Sequence, residues 1–245
     1  MTTARNIAEG LGSFLRFEQL SGRAELFSEK YLCSAIGQIM SGTGYRTTPE
    51  FTHPSLRRLK EGRGRRPAID FVCRNHNVRY LDNATSPTSP SGTNGIIKAI
   101  ESKWIGATEP THDSVMWDII RLSLVNRDYD ADCFFVIGGR SKDLTEYFQS
   151  FPIYINKQNN RKTPIFQTPH PDNFSTLYGK HIALSLLTDA GKWRGFYRRT
   201  TNRYPSLDMP TNLAVRMGSF FPINCRSRDY KVICWQVYCL DAKSI

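Results

Sequence analysis

Glu101 and Lys103 stand two residues apart in the apolar run IIKAIESKWIG, residues 96–106. The run reads as a buried β-strand, and in a strand alternate residues share a face. The two charges therefore point the same way, with Ile97, Ala99 and Ile105, while Ile100, Ser102 and Trp104 point to the other side. An isolated buried carboxylate or ammonium is costly enough to neutralise itself, so the pair must be compensated by each other, by a metal ion, or by solvent at the strand's end. Asp70, in Pro67-Ala-Ile-Asp70, supplies a third charge. Its strand precedes that of Glu101 and would most simply neighbour it in a sheet. Two carboxylates converging from adjacent strands, with retained waters, suit a hard divalent cation such as Mg²⁺. Lys103 would then orient or deprotonate a water, or neutralise charge building on a phosphate. Asp82, in LDNATSP, competes with Asp70, but its surroundings read as a strand end or turn.

The elements that must position these groups follow from periodicity. Residues 7–40 are helical in pattern, broken near LSGRA, with Ser21 as a cap for a second helix beginning around Glu25. Leu26, Glu29, Cys33, Ile36 and Met40 follow one face of that helix, so Glu29 lies on its core stripe, or at the edge of it paired with Lys30 or Arg23. A polar stretch follows, closing in the basic loop HPSLRRLKEGRGRRP with Arg63, Arg65 and Arg66, which is either a solvated connector or a phosphate-contacting loop. PAIDFVCRNHNVRYL reads as a hairpin with strands at 68–74 and up to Leu81, and SPTSPSGTNG as a low-complexity surface loop. THDSVMWDIIRLSLVNR is an amphipathic helix, CFFVIGG a buried strand, and SKDLTEYFQSF a helix capped by Ser141. Strands alternating with helices indicate an α/β domain whose central strands are covered on both faces.

Beyond Tyr154, HIALSLL, LAVRMGSFF and YKVICWQVYCL read as strands. The stretch GKWRGFYRRTTNRY interleaves Lys192, Arg194, Arg198, Arg199 and Arg203 with Trp193, Phe196, Tyr197 and Tyr204. Stacking surfaces beside cations suit nucleic acid; packing aromatics with snorkelling basic side chains give the same pattern.

Composition bounds the reading. The 245 residues carry a formal net charge of +11, which favours polyanionic partners, nucleic acid first. No run approaches the roughly eighteen apolar residues of a membrane helix, and the N-terminal residues lack the long apolar centre of a secretory signal. The six cysteines have no CxxC pair and no histidine at zinc-ligand spacing. Buried reduced thiols are expected, and with them a soluble, cytoplasmic protein without membrane contact.

With this order of elements, Pro67-Ala68-Ile69-Asp70 followed by Glu101-Ser102-Lys103 resembles the PD-(D/E)XK motif of the restriction-endonuclease-like nucleases. The resemblance covers roughly residues 25–140. It implies a mixed central β-sheet flanked by helices, within a single domain 1–245 that carries additional C-terminal strands in about 154–245. It makes Asp70 and Glu101 metal ligands and Lys103 the catalytic lysine, with Glu29 and the Ser102 backbone carbonyl as further candidate ligands of Mg²⁺ or Mn²⁺. The implied function is a metal-dependent nuclease, with DNA favoured, of the kind found in defence or mobile-element systems. Arg63, Arg65, Arg66, Lys192, Arg194, Arg198 and Arg199 would hold backbone phosphates. A homodimer or a protein partner is in keeping with the family, although no residue pattern marks an interface. The alternative is an inert nuclease-like binding or scaffold protein in which the same charges form a structural ion cluster. A glycoside hydrolase built on Asp70 and Glu101 is disfavoured by the positive charge and by Lys103.

Overall fold

The computed structural model describes residues 3–42, 44–56, 66–74, 95–106, 109–151, 153–156, 161–164, 181–186, 192–222 and 229–241, with side chains for all of these except 153–156, 161–164, 192 and 193. The return strand of the expected hairpin, the low-complexity loop, Asp82, Arg63 and Arg65 lie outside the described residues.

Helix α1 (Ala4–Leu20) buries Ile7, Ala8, Leu11 and Leu15 on one face, and opens with a capping box between Thr3 and Asn6. Ser21 closes this helix, its hydroxyl donating to the Phe17 carbonyl at 2.9 Å, and so does not open the next one as expected. A 3₁₀ turn (Ala24–Leu26) intervenes, and α2 (Glu29–Ser41) starts at Ser28, whose Oγ accepts the Tyr31 N–H at 3.2 Å. The delay has a local cause: Arg23 forks onto the Glu18 carboxylate at 2.5 and 2.6 Å while the Tyr31 hydroxyl donates to it, tying the end of α1 to the start of α2. Leu26 consequently lies outside the helix and is exposed, and the core stripe of α2 is Leu32, Ile36 and Met40.

Seven strands form one mixed sheet. In chain order they are β1 (Arg46–Thr52), β2 (Ala68–Arg74), β3 (Ile96–Ile105), β4 (Asp132–Arg140), β7 (His181–Ser185), β8 (Asn212–Phe221) and β9 (Tyr230–Cys239); β5 (Ile153–Asn156) and β6 (Arg161–Pro164) pair as a separate ribbon. The sheet order is β1-β2-β3-β4-β9-β8-β7. β3 and β4 are parallel, joined by α3 (His112–Tyr129), and the other neighbours are antiparallel. The C-terminal strands thus extend the sheet itself, with β9 beside β4. Strand β1 falls in the stretch read as merely polar; it is a half-exposed edge strand. α4 (Ser141–Ser150) follows β4 directly, and its cap position is Arg140, without a capping side chain, so Ser141 is its first residue. α5 (Lys192–Arg203) is the basic aromatic stretch.

Both faces of the central strands are covered. Alternation sends Phe135 and Ile137 of β4 into the core beneath α3, and Phe134 and Val136 into the core beneath α1 and α2. Strand β3 obeys the same parity from Ala99 onward. A bulge shifts the β2–β3 register between Cys73 and Arg74, so Ile97 packs on the α1/α2 side, opposite to the expected face. The end of β3 is held close to β4: a Cβ on Gly139 would stand 2.6 Å from the Ile105 carbonyl oxygen, so only glycine allows this approach. The five described cysteines are free thiols; Cys73, Cys133 and Cys234 are buried as expected, whereas Cys33 and Cys239 are half-buried. Among the described residues no helix is long and apolar enough to cross a membrane.

Candidate active site

The charged residues of β2 and β3 come together between α2 and α3. Asp70 is fixed by its neighbour strand: the Ser102 N–H and the Ser102 hydroxyl both donate to its Oδ2, each at 2.8 Å. Ser102 therefore faces away from Glu101, as parity requires, but it is more than a spacer. With its own proton given to Asp70, its Oγ accepts from the Cys33 thiol of α2 at 3.3 Å. Burial pushes the Cys33 thiol up to about 11, which leaves it a protonated donor and not a nucleophile.

Glu101 is almost wholly buried, and its counter-charge comes from α3. Arg121 Nη2 lies 2.9 Å from Glu101 Oε1 and 2.5 Å from Asp118 Oδ1, while Nη1 donates to the Ala68 carbonyl at 2.9 Å. One guanidinium thus binds β2, β3 and α3 together. Its own backbone carbonyl is held by His53 Nε2 at 2.9 Å; burial pushes that imidazole down to about 3, so it is neutral. Lys103 points the same way as Glu101. Its ammonium lies 3.0 Å from Asp118 Oδ2 and 3.4 Å from Glu29 Oε1, and it donates to the Ser102 carbonyl at 3.2 Å. Glu29 thus sits at the edge of its helix stripe, and its partner is Lys103 instead of the adjacent bases Lys30 or Arg23. Its side chain is 45% exposed against 1% for Glu101, which makes the Glu29 side the open end of the cluster.

The electrostatics follow from an imbalance of charge. Four carboxylates, Glu29, Asp70, Glu101 and Asp118, face two side-chain cations, Lys103 and Arg121. Burial pushes Glu101 well above the usual carboxylate range, against the pull of Arg121. Burial also raises Asp70, opposed by the Ser102 hydrogen bonds and Lys103, and raises Glu29, opposed by Lys103. For Lys103 burial alone would lower the pKa, but Asp118, Glu29 and Glu101 override it and hold it above the ordinary lysine range. Lys103 is a fixed cation at neutral pH, suited to neutralising developing negative charge and unsuited to taking a proton.

A hard cation would suit the donor set chemically, because the donors are oxygens and carry an excess of negative charge. Among the described residues, however, no group of three or more His, Cys, Asp or Glu side chains is placed to share one ion. The carboxylates are instead engaged by Lys103, Arg121 and Ser102. Asp118 and Arg121 were not singled out by the sequence reading. Their signal is a charged pair at i and i+3 among Val115, Met116, Ile119, Ile120 and Leu122, all of which are buried.

The expected phosphate-binding residues are dispersed. Arg66 is exposed just before β2, and Arg194, Arg198 and Arg199 are exposed on α5, where Phe196 is buried and Tyr197 half-buried. The side chain of Lys192 lies outside the described set. Arg199 is tethered by Asp113 of α3 at 2.9 Å. No family model matches the chain, and no curated protein or solved structure in the comparison does so either.

Proposed function

We propose that the chain is a metal-dependent phosphodiesterase that cleaves nucleic acid, DNA favoured, by attack of water on phosphorus, in keeping with the resemblance to the PD-(D/E)XK nucleases. The observation that carries this reading is the joining of Asp70 to the Glu101-Ser102-Lys103 strand through both hydrogen bonds from Ser102, at the point where α2 brings in Glu29. The order of elements supports it: an acidic helix, an antiparallel trio of strands carrying Asp70 and Glu101, a crossover helix, and a parallel strand. Mg²⁺ or Mn²⁺ would be held by Asp70, Glu101 and the Ser102 carbonyl, with Glu29 at the open side, and when bound would activate a water and polarise the phosphate. Ser102 orients Asp70, Arg121 holds Glu101, and Asp118 keeps Lys103 charged and aimed at the cluster. Lys103 then offsets the negative charge that builds on the phosphate oxygens. A defence or mobile-element setting rests on the family resemblance alone.

One observation favours a second reading, an inert binding or scaffold protein: Arg121 and Lys103 already engage Glu101, Asp118 and Glu29 as an ion cluster. The two readings are separated by incubating the purified protein with single- and double-stranded DNA and RNA, in Mg²⁺, Mn²⁺ or EDTA, beside Lys103→Ala and Asp70→Asn. Cleavage that needs metal and disappears in both variants is expected. Cleavage that survives both substitutions would refute this site, and binding without cleavage under every metal would favour the scaffold.

A further inference from the structure

Helices α3 and α5 bound an open cleft of about 500 Å³. Its walls are Trp117 with Asp113 from α3, and Phe196, Arg199 and Arg203 from α5, with Tyr204 just after it. The volume lies within the roughly 300–1,000 Å³ of small-ligand sites, large enough for one nucleotide unit. Trp117 is half-buried and runs nearly parallel to Tyr204, with ring centroids 5.6 Å apart and 15° between planes. The Arg203 guanidinium lies 5.2 Å from the centre of the Tyr204 ring. Arg199 is oriented by its ion pair with Asp113, so the cleft holds two guanidiniums against one carboxylate. The half-buried Trp117 ring, backed by the buried Tyr204 and lined by more cationic than anionic side chains, matches a planar ring attached to an anion. Trp117 immediately precedes Asp118, so the helix that builds this wall also carries an acid of the cluster.

We propose that this cleft is a nucleobase subsite: it takes one unpaired base against Trp117, which Tyr204 backs, and sets the adjoining phosphate at Arg199 and Arg203. The proposal rests on the reading of nucleic acid as the substrate and sharpens it, because a base locked in a duplex cannot enter. Single-stranded or locally opened nucleic acid is the class that fits. Asp113 positions Arg199, and neither residue belongs to the carboxylate cluster.

The test is binding in EDTA, read by fluorescence anisotropy, of a short single-stranded oligonucleotide, its duplex, and a matched strand with every base removed. Base–aromatic stacking carries about tenfold or more in affinity, so the wild type is expected to bind the base-bearing strand at least about tenfold more tightly than the abasic one, and more tightly than the duplex. Trp117→Leu should remove that preference while leaving abasic binding unchanged, and Trp117→Phe should restore most of it. Arg199→Gln, at a side chain 62% exposed and therefore harmless to folding, should weaken both strands alike and lower the salt slope by about one. Ser114→Gln, which fills part of the cleft beside Trp117 while keeping the Trp117 ring, should also abolish the preference and serves if Trp117→Leu does not fold. Equal binding of base-bearing and abasic strands by the wild type would overturn the proposal and mark α5 as a plain polyanion surface. So would a preference that survives Trp117→Leu or Ser114→Gln. Cleavage is scored separately: Asp70-dependent cleavage without base preference defeats the subsite alone, while base-dependent binding without cleavage defeats the nuclease reading alone.

Discussion

Replacing Arg121 by Met tests whether one guanidinium holds the cluster together. The substitution keeps most of the buried volume but removes the ion pairs at 2.9 Å to Glu101 and 2.5 Å to Asp118, and the hydrogen bond at 2.9 Å to the Ala68 carbonyl. Glu101 is 1% exposed and cannot turn to solvent. Breaking a buried pair in this way costs about 3–5 kcal/mol, which for a chain of this size lowers Tm by roughly 6–20 °C. The loss must depend on pH. Glu101 holds its proton more tightly folded than unfolded, so the folded state binds more protons above the ordinary carboxylate pKa, and stability falls as pH rises towards the raised value. Without Arg121 that gap widens. Urea denaturation should therefore show the full loss near pH 8, about 3–5 kcal/mol, and a smaller one as pH falls and Glu101 takes up its proton, leaving the lost Asp118 pair, carbonyl hydrogen bond and packing. Adding Glu101→Gln to Arg121→Met should recover at least half of the loss at the higher pH. An equal loss at both pH values, or no recovery in the double variant, would refute the assignment of Arg121 as the counter-charge of Glu101.

Three further outcomes follow from the same geometry. Ser102→Ala removes one of the two hydrogen bonds that hold Asp70 and draw its pKa down; stability should fall by about 1 kcal/mol, kcat should drop with KM nearly unchanged, and the acid limb of the cleavage profile should move to higher pH. Millimolar Mg²⁺ should raise the Tm of the wild type near pH 8, less near pH 5 where protons compete for the carboxylates, and not at all in Asp70→Asn, as read by differential scanning fluorimetry. Gly139→Ala drives a methyl to 2.6 Å from the Ile105 carbonyl and should force β3 and β4 apart, with a loss of about 1–3 kcal/mol by chemical denaturation and a fall in kcat, since β3 carries Glu101 and Lys103.

The parts of this site that a sequence displays are those whose position is set by their own strand. A charge inside an apolar strand has nowhere to hide: the period of two puts Glu101 and Lys103 on one face, and the structure keeps them there. The same logic fails where a distant partner decides. Ser21 and Ser28 are equally good caps by type, and the choice is made by Glu18, Arg23 and Tyr31 closing over the turn between them. β1 contains Thr47, Thr48, Pro49 and Glu50, an edge strand with too little apolar alternation to be told from a loop. Asp118 and Arg121 look like the polar side of an amphipathic helix, although α3 is buried on nearly every side and so has no polar face to give. This last misreading bears on the chemistry. From the strand alone Lys103 could serve as a base or as a cation, because nothing local fixes its charge. Its ion pair with Asp118 fixes it, and that acid comes from the helix packed over its own face of the sheet. The lysine's motif is legible in three residues, but its protonation state is a property of the tertiary structure.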